Sequence, residues 1–291
     1  MEIFGVPGAL LGSQLLVGLI NGSFYAILSL GLAIIFGLLN IINFSHGAQY
    51  MMGAFVAWIA LNKLGINYWV ALLFAPIVIG ALGVVIERTM LRKPYKLDHL
   101  YGLLLTFGLA LIFEGVFRDQ YGISGQSYPV PELLQGGVNL GFMFLPIYRA
   151  WVVVAALTVC FATWFIIEKT KLGAYLRAGT ENPQMVQALG INVPLLITFT
   201  YGYGVALAAF AGVLAAPIYQ VSPLMGSNLI IVVFAVVVIG GMGSIMGSIL
   251  TGLGLIEGLT RVFYPEASAV VVFVIMVIVL LVRPAGLFGK A

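Results

Sequence analysis

The chain has 291 residues, of which 62% are hydrophobic and 8% charged, and its mean hydropathy is +1.13. A soluble domain is about 45–50% apolar and about 25% charged, so this composition excludes a water-soluble globular protein and predicts an integral membrane protein. The formal net charge of +3 comes from basic residues gathered in a few loops, which indicates membrane topology and argues against a nucleic-acid-binding surface.

Long apolar runs follow one another along the chain and predict membrane-spanning helices. A span needs about 20 apolar residues, and the first stretch without Asp, Glu, Lys or Arg, from Glu2 to Lys63, holds two long crossings or three short ones. Further apolar runs lie at about 68–86, 100–117, 150–167, 193–217, 229–243, 246–261 and 268–282. The chain 1–291 is therefore predicted to be a single transmembrane domain, all-α and polytopic, with about 8–10 transmembrane helices.

Basic residues cluster in three segments and set the predicted orientation. The segments lie at about 87–99, at about 168–192 and at the C-terminus, and the positive-inside rule places all three in the cytoplasm. The same parity places the polar segment at about 118–149, which is rich in Gly, Pro and turn formers, on the extracytoplasmic side. That segment is either a plain connecting loop or a surface for an external partner. The side of the N-terminus stays open.

Within the second basic segment, TENPQMVQALGINVP (Thr180–Pro194) predicts one short amphipathic helix. Asn182 suits its N-cap and Pro183 its first position, while Gly190 suits a left-handed C-terminal cap. The helix between them is about seven residues long, or roughly 10 Å, and its apolar face consists of Met185, Val186, Ala188 and Leu189. Because so short a helix is not stable alone in water, we expect it to pack against something on the cytoplasmic face.

Two interpretations of this helix remain open from the residues alone. It lies on the lipid headgroups as an interfacial helix, or it is a coupling helix that sits in a groove of a cytoplasmic ATPase and transmits the motion of that ATPase to the spans.

Polar residues in the first apolar stretch are candidates for a substrate path. Polar groups are expensive in lipid unless they are paired, so they usually face the interior of a helical bundle. The predicted path residues are Asn21, Ser23, Tyr25, Asn43, Ser45, His46 and Gln49. Alternatively, they bond between helices or satisfy a broken helix around Asn40–Asn43. A proton relay at His46 is rejected, because no acidic residue lies near it in the sequence.

Two further patterns have structural interpretations. The glycine-dense run that contains GGMGSIMGS (Gly240–Ser248) predicts either close helix packing or a hinge that turns the chain back near the cytoplasmic side. Glu114 with Arg118, and Glu257 with Arg261, are spaced as i,i+4 pairs near the outer ends of their helices, where we expect local ion pairs.

Five stretches, distributed in order over nearly the whole chain, carry a resemblance to a known family. They are INFSHGAQYMMGAF (Ile42–Phe55), TKLGAYLRAGTENPQMVQALGINV (Thr170–Val193), AGVLAAPIYQVSPLMG (Ala211–Gly226), VVVIGGMGSIMGSILTG (Val236–Gly252) and VRPAGLFG (Val282–Gly289). With this ordered set, the chain resembles the LivH type of branched-chain amino-acid permease from ABC importers.

The resemblance implies a multi-pass permease subunit of the bacterial cytoplasmic (inner) membrane, surrounded by membrane lipid. It implies three kinds of partner: a second permease of the LivM type, two ATPase subunits and a periplasmic substrate-binding protein. The chain itself is then not an enzyme and binds no cofactor or metal, because ATP and Mg are bound by the ATPase subunits. The resemblance also favours the coupling helix, for which the implied residues are Arg177, Asn182, Pro183, Met185, Val186, Ala188, Leu189 and Gly190.

Two rival functions are weaker on the residues. An ion-coupled secondary carrier for small amphipathic solutes would need an acidic or sodium-coordinating cluster at mid-membrane, and no carboxylate lies clearly at that depth in the sequence. An intramembrane enzyme would need a nucleophile–base or metal constellation, which His46, His99 and Cys160 do not provide. Which amino acid or amide is carried is not encoded in any of these patterns.

Overall fold

The computed structural model describes residues 2–3, 6–39, 42–92, 99–252, 260–268 and 270–289. Its helices are α1 (Gly8–Leu39), α2 (His46–Leu64), α3 (Tyr68–Ile86), α4 (His99–Tyr121), α5 (Ile147–Lys169), α6 (Lys171–Glu181), α7 (Pro183–Ala188), α8 (Val193–Ala215), α9 (Ser227–Gly240), α10 (Ile245–Gly252) and α11 (Val271–Val282). Two short antiparallel hairpins pair β1 (Glu2–Ile3) with β2 (Val6–Pro7) and β3 (Gly137–Asn139) with β4 (Phe144–Pro146).

The predicted all-α, multi-pass architecture is confirmed. Among the described residues, five helices are long and apolar enough to cross a membrane: α1, α3, α4, α5 and α8. The helices α9 and α11 are apolar but shorter. Within the first apolar stretch the structure has two helices, α1 and α2, of which α1 is among these five, so the number of crossings in this stretch stays a prediction. The total of 8–10 crossings stays a prediction.

The core of the bundle is built around α1 and α8. Helix α8 packs along α1, α2 and α3, and α1 also packs against α5, α9 and α10. Helix α4 behaves differently, because only 11% of its most apolar membrane-length window is buried. Most of the surface of α4 therefore faces outward from this chain.

Glycines allow two of these helix contacts to be very close. A Cβ atom at Gly212 of α8 would lie 2.0 Å from the carbonyl oxygen of Tyr50 in α2. A Cβ atom at Gly37 of α1 would lie 2.0 Å from the Cα of Gly243, which itself has φ +89° in the turn between α9 and α10. Real Cβ atoms do not approach other atoms so closely, so both positions need glycine. At GGMGSIMGS, Gly240 and Gly247 lie in close backbone contact, which agrees with the predicted close packing, while the hinge on the cytoplasmic side stays a prediction.

Hydrogen bonds of aromatic side chains join the ends of three helices, α3, α5 and α8. Trp151 of α5 donates from Nε1 to the hydroxyl of Tyr68, which begins α3, over 3.2 Å. The Tyr148 hydroxyl lies 3.0 Å from that of Tyr68 and 2.9 Å from the carbonyl oxygen of Leu214 in α8. Tyrosine and tryptophan are enriched at both membrane–water interfaces, which agrees with a position of these helix ends near one of them.

The predicted polar segments are partly helical. The connection that is predicted to be extracytoplasmic, called the outer connection below, runs over 122–146 without long helices, because α4 continues to Tyr121 and α5 begins at Ile147. The predicted inner segment at 168–192 contains α6 and α7. The predicted pair is present at the end of α4, where Arg118 Nη2 lies 2.7 Å from Glu114 Oε1. Asn40, Glu257 and residues 93–98 lie outside the described residues.

Candidate functional site

An open cavity of about 600 Å³, called the outer cavity below, lies between α1 and the segment that connects α8 to α9. Its wall is formed by the outer half of α1, by the start of α5 and α9, and by residues 216–226, which connect α8 to α9 without a regular helix. Two backbone hydrogen bonds between Gln126 and Val221, of 2.8 and 2.9 Å, attach that connection to the outer loop. Irregular backbone at membrane depth is tolerated where it lines a cavity, and this segment does so.

Two of the predicted path residues line this cavity. They are Asn21 and Tyr25, which are one helical turn apart on α1. The Tyr219 hydroxyl donates to Asn21 Oδ1 over 3.0 Å, so the connection and α1 are joined at the cavity wall. Ser23 points elsewhere, because it is fully buried and its hydroxyl donates to the carbonyl oxygen of Leu19 over 2.8 Å.

Three other predicted residues form a closed hydrogen-bonded cluster at the start of α2. Ser45 Oγ donates to Asn43 Oδ1 over 2.6 Å, Asn43 Nδ2 donates to Gln49 Oε1 over 3.1 Å, and Gln49 Nε2 donates to Ser45 Oγ over 3.1 Å. All three are at most 1% exposed. In this conformation the polar atoms satisfy one another, and none of these side chains lines the outer cavity. Their role in the substrate path stays a prediction.

His46 lies beside this cluster and is also fully buried. Its Nε2 lies 3.1 Å from the carbonyl oxygen of Leu28, so Nε2 carries the hydrogen and joins α2 to α1. Within the described residues, its Nδ1 has no hydrogen-bond partner, and neither has the buried hydroxyl of Tyr201, which lies near Gln49 and Ser45. Two buried polar atoms, one on α2 and one on α8, thus lack a hydrogen-bond partner among the described residues in this conformation.

The short helix α7 has the predicted ends. Asn182 Oδ1 accepts a hydrogen bond from the backbone of Met185 over 3.0 Å, Pro183 occupies the first helical position, and Gly190 has φ +84°. The helix has six residues, one fewer than predicted.

The apolar face of α7 is divided between two environments. Val186 is 6% exposed and packs inward, whereas Met185 is 65% and Leu189 73% exposed. Ala188 is exposed as well. The predicted single face of four residues therefore consists of one residue that anchors the helix and three that are available for another surface.

The backbone of α7 leads directly into the central helix of the bundle. The amide of Ile191 donates to the carbonyl oxygen of Val186 over 3.3 Å, and Asn192 Oδ1 caps α8 by accepting from Leu195 over 3.1 Å. Before α7, Arg177 Nη1 lies 3.4 Å from the carbonyl oxygen of Ile167 and 3.5 Å from Glu168 Oε2, which holds α6 against the end of α5. The chain therefore passes from α7 to α8 through a short, hydrogen-bonded connection.

The structure also identifies residues that the sequence prediction missed. Arg149, Tyr219, Gln220, Asn228 and Arg261 line the outer cavity together with Asn21 and Tyr25. No local pattern marks them, because they come from three separate parts of the chain. The position of Arg149 directly before the predicted apolar run at about 150–167 was the one available signal.

Comparisons with known proteins agree on one family. The family described as branched-chain amino acid transport system / permease component matches residues 14–280. The chain is 33% identical over 300 residues to the high-affinity branched-chain amino acid transport system permease protein BraD of Pseudomonas aeruginosa, with 95% of each chain covered. It is 30% identical over 294 residues to the permease protein LivH of the high-affinity system of Escherichia coli, again with 95% of each covered.

A second kind of permease protein is related more distantly. The chain is 28% identical over 292 residues to the high-affinity branched-chain amino acid transport system permease protein LivM of Salmonella typhimurium, with 90% of this chain and 67% of the relative covered. No solved structure matches the chain.

Proposed function

Because the chain belongs to the family of permease components of branched-chain amino acid transport systems, we propose that it is the transmembrane permease subunit of an ATP-driven importer for branched-chain or related amino acids. It forms half of the translocation path and couples to a cytoplasmic ATPase. It is a multi-pass membrane protein, and the proposed location is the bacterial cytoplasmic (inner) membrane.

The observation that carries this proposal is the exposure of Met185 and Leu189 on α7. A six-residue helix is not stable on its own in water, yet here Val186 and the cap of Asn182 hold it in place with two large apolar side chains pointing outward. A groove on a cytoplasmic ATPase would cover them. An interfacial helix on lipid is the second interpretation of the same exposure.

The proposed cycle follows from the connection of α7 to α8. When two ATPase subunits bind ATP and Mg and close, they displace α7, and the capped first turn of α8 moves with it. Since α8 packs along α1, α2 and α3, its displacement changes the shape of the outer cavity and of the path below it. The chain itself binds no cofactor in this scheme; nucleotide hydrolysis belongs to the partner chains.

The proposed partners are a second permease of the LivM type, two ATPase subunits and a periplasmic substrate-binding protein. The related permease proteins LivH and LivM of branched-chain systems support the permease pair. The outward-facing surface of α4 offers a face for such a second permease or for lipid. An ion-coupled carrier finds less support, because the one buried carboxylate among the described residues, Glu87, lies at the inner end of α3.

The test is co-purification from the native membrane. The tagged chain is extracted gently, and the proteins that accompany it are identified for the wild type, for Leu189→Glu and for Leu133→Glu. Leu133 is a matched control, because it is 79% exposed but lies in the outer connection. We expect a second permease and ATPase subunits with the wild type and with Leu133→Glu, and loss of the ATPase subunits with Leu189→Glu. Isolation of the chain alone in active form would overturn the proposal in favour of the secondary carrier.

A further inference from the structure

Arg149 occupies an unusual position in the wall of the outer cavity. It is the third residue of α5, and it is partly buried. The first turn of a helix carries a positive partial charge that disfavours cations and favours anions. At this helix end Pro146 supplies no capping side chain and the first turn contains no acidic residue. An arginine here raises the positive potential instead of lowering it.

The rest of the described cavity wall does not neutralise this charge. No Asp or Glu is present among the described residues that line the cavity. Within the described part of the chain, Arg149 makes no hydrogen bond or ion pair of its own. A cation that is partly removed from water at a positive helix end is stabilised by a bound anion.

The remaining lining residues suit a small zwitterion with an apolar side chain. Three tyrosines, Tyr25, Tyr50 and Tyr219, contribute aromatic rings to the wall, and such rings attract a ligand ammonium group. Apolar side chains such as Ile20 and Met225 supply a hydrophobic surface. The volume of about 600 Å³ is in the range of small-molecule sites.

We propose that Arg149 binds the carboxylate of a zwitterionic amino acid in the outer cavity, which makes this cavity the first site in the permease to receive the substrate. This inference rests on the proposed function as an amino-acid permease. It assigns the selectivity for a free carboxylate partly to the membrane-spanning chain.

The test is equilibrium binding to the complete purified transporter, without the external binding protein. Four probes are compared. L-leucine carries both the ammonium and the carboxylate, and 4-methylpentanoate carries the carboxylate alone. Leucinamide and 3-methylbutylamine carry the ammonium but no carboxylate. The proteins are the wild type, Arg149→Gln, Arg149→Lys and Arg118→Gln. Arg118 is a matched control, because it is an outer-end arginine that pairs with Glu114 and does not line the cavity.

In the wild type and in Arg118→Gln we expect L-leucine and 4-methylpentanoate to bind at least ~10-fold more tightly than the two probes without a carboxylate, as for one charge-assisted hydrogen bond. Arg149→Gln removes this difference and Arg149→Lys keeps part of it. Equal binding of L-leucine and leucinamide to the wild type would overturn the inference, and this comparison needs no variant to fold. A carboxylate preference that persists in Arg149→Gln, or the absence of saturable L-leucine binding, would overturn it as well.

ATP-driven uptake of L-leucine into proteoliposomes, with the binding protein added, separates this inference from the proposed function. If uptake is present but the carboxylate preference does not depend on Arg149, only the inference fails. If the wild type takes up no amino acid with ATP and its partners present, the proposed function fails irrespective of the binding results.

Discussion

The Thr198 hydroxyl donates a hydrogen bond of 2.6 Å to the carboxylate of Glu87, two residues that are 111 positions apart in the sequence. Glu87 begins the π turn Glu87–Leu91 that ends α3, and Thr198 lies in the second turn of α8. Arg92 completes the contact, because its Nη2 donates to Thr198 Oγ1 over 2.9 Å and its Nε lies 3.4 Å from Glu87 Oε1. The inner ends of α3 and α8 are thereby joined one helical turn after the α7–α8 connection.

This contact predicts an asymmetric response to mutation. The Glu87 side chain is 1% exposed and that of Arg92 42% exposed. Arg92→Met leaves a buried carboxylate without its cation, which costs about 3–5 kcal/mol, whereas Glu87→Gln leaves an arginine that water reaches and costs about 1–2 kcal/mol. Thermal unfolding of the detergent-solubilised protein measures the order. Arg88→Met, an exposed arginine on the same turn, is the control and should change little; equal losses for Arg92→Met and Glu87→Gln would contradict the prediction.

Two asparagine caps ten positions apart predict different consequences for transport. Asn182 caps the six-residue helix α7, and Asn192 caps the 23-residue helix α8. Loss of a cap costs about 1 kcal/mol in either case. That amount unfolds a large fraction of a short helix held by one buried residue, but not a helix packed along its whole length.

We therefore expect Asn182→Ala to lower ATP-driven uptake several-fold more than Asn192→Ala, with the same amount of both proteins in the membrane. Uptake into proteoliposomes and the ATPase rate of the same samples provide the measurement. Identical uptake by the two variants would show that α7 does not need to be helical for coupling.

The cluster of Asn43, Ser45 and Gln49 predicts a loss of stability when one member is removed. Gln49→Leu leaves Asn43 Nδ2 and the Ser45 hydroxyl without one partner each in a buried site, and an unsatisfied buried group costs about 1–3 kcal/mol. Asn62→Leu is the control, since Asn62 bonds the carbonyl oxygen of Trp58 at an exposed site. Unchanged thermal stability of Gln49→Leu together with altered substrate selectivity would instead favour a role of the cluster in the substrate path.

The close contact of α8 with α2 predicts that Gly212→Ala is poorly tolerated. The added Cβ would overlap the carbonyl oxygen of Tyr50 at 2.0 Å, so the two helices separate, at a cost of about 1–3 kcal/mol or more. Gly108→Ala in α4 is the matched control, because nothing lies within 4 Å of its added Cβ. Alanine there is expected to be neutral or to stabilise by up to about 1 kcal/mol. The yield of folded protein in size-exclusion chromatography distinguishes the two.

The features that the sequence predicted are those determined by neighbouring residues. The ends of α7 follow from Asn182, Pro183 and Gly190, whose backbone preferences act within one turn, and the pair of Glu114 and Arg118 follows from helical spacing. Periodicity could not indicate that Val186 packs inward while Met185 faces outward, because both belong to one apolar stripe. That division depends on which side of α7 packs against the rest of the protein, which is a tertiary contact.

Long-range contacts lay beyond the prediction for a similar reason. In the sequence, Glu87 is an acidic residue in a segment rich in basic residues, and nothing there indicates a buried position. Only the packing of α3 against α8 brings it to Thr198. The outer cavity likewise needs α1, α5 and the 216–226 connection together. No residue pattern in one of these segments indicates that it packs against the other two.

The central position of α1 has a consequence for how the protein is made. Its neighbours α8, α9 and α10 are encoded more than 150 residues later, and at about 5–20 residues per second the ribosome needs roughly 8–30 seconds to reach the first of them. During that interval the polar side chains of Asn21, Ser23 and Ser29 lack their final surroundings. Helix α1 is therefore synthesised well before most of the helices that enclose it, and a chain interrupted before α8 lacks those helices.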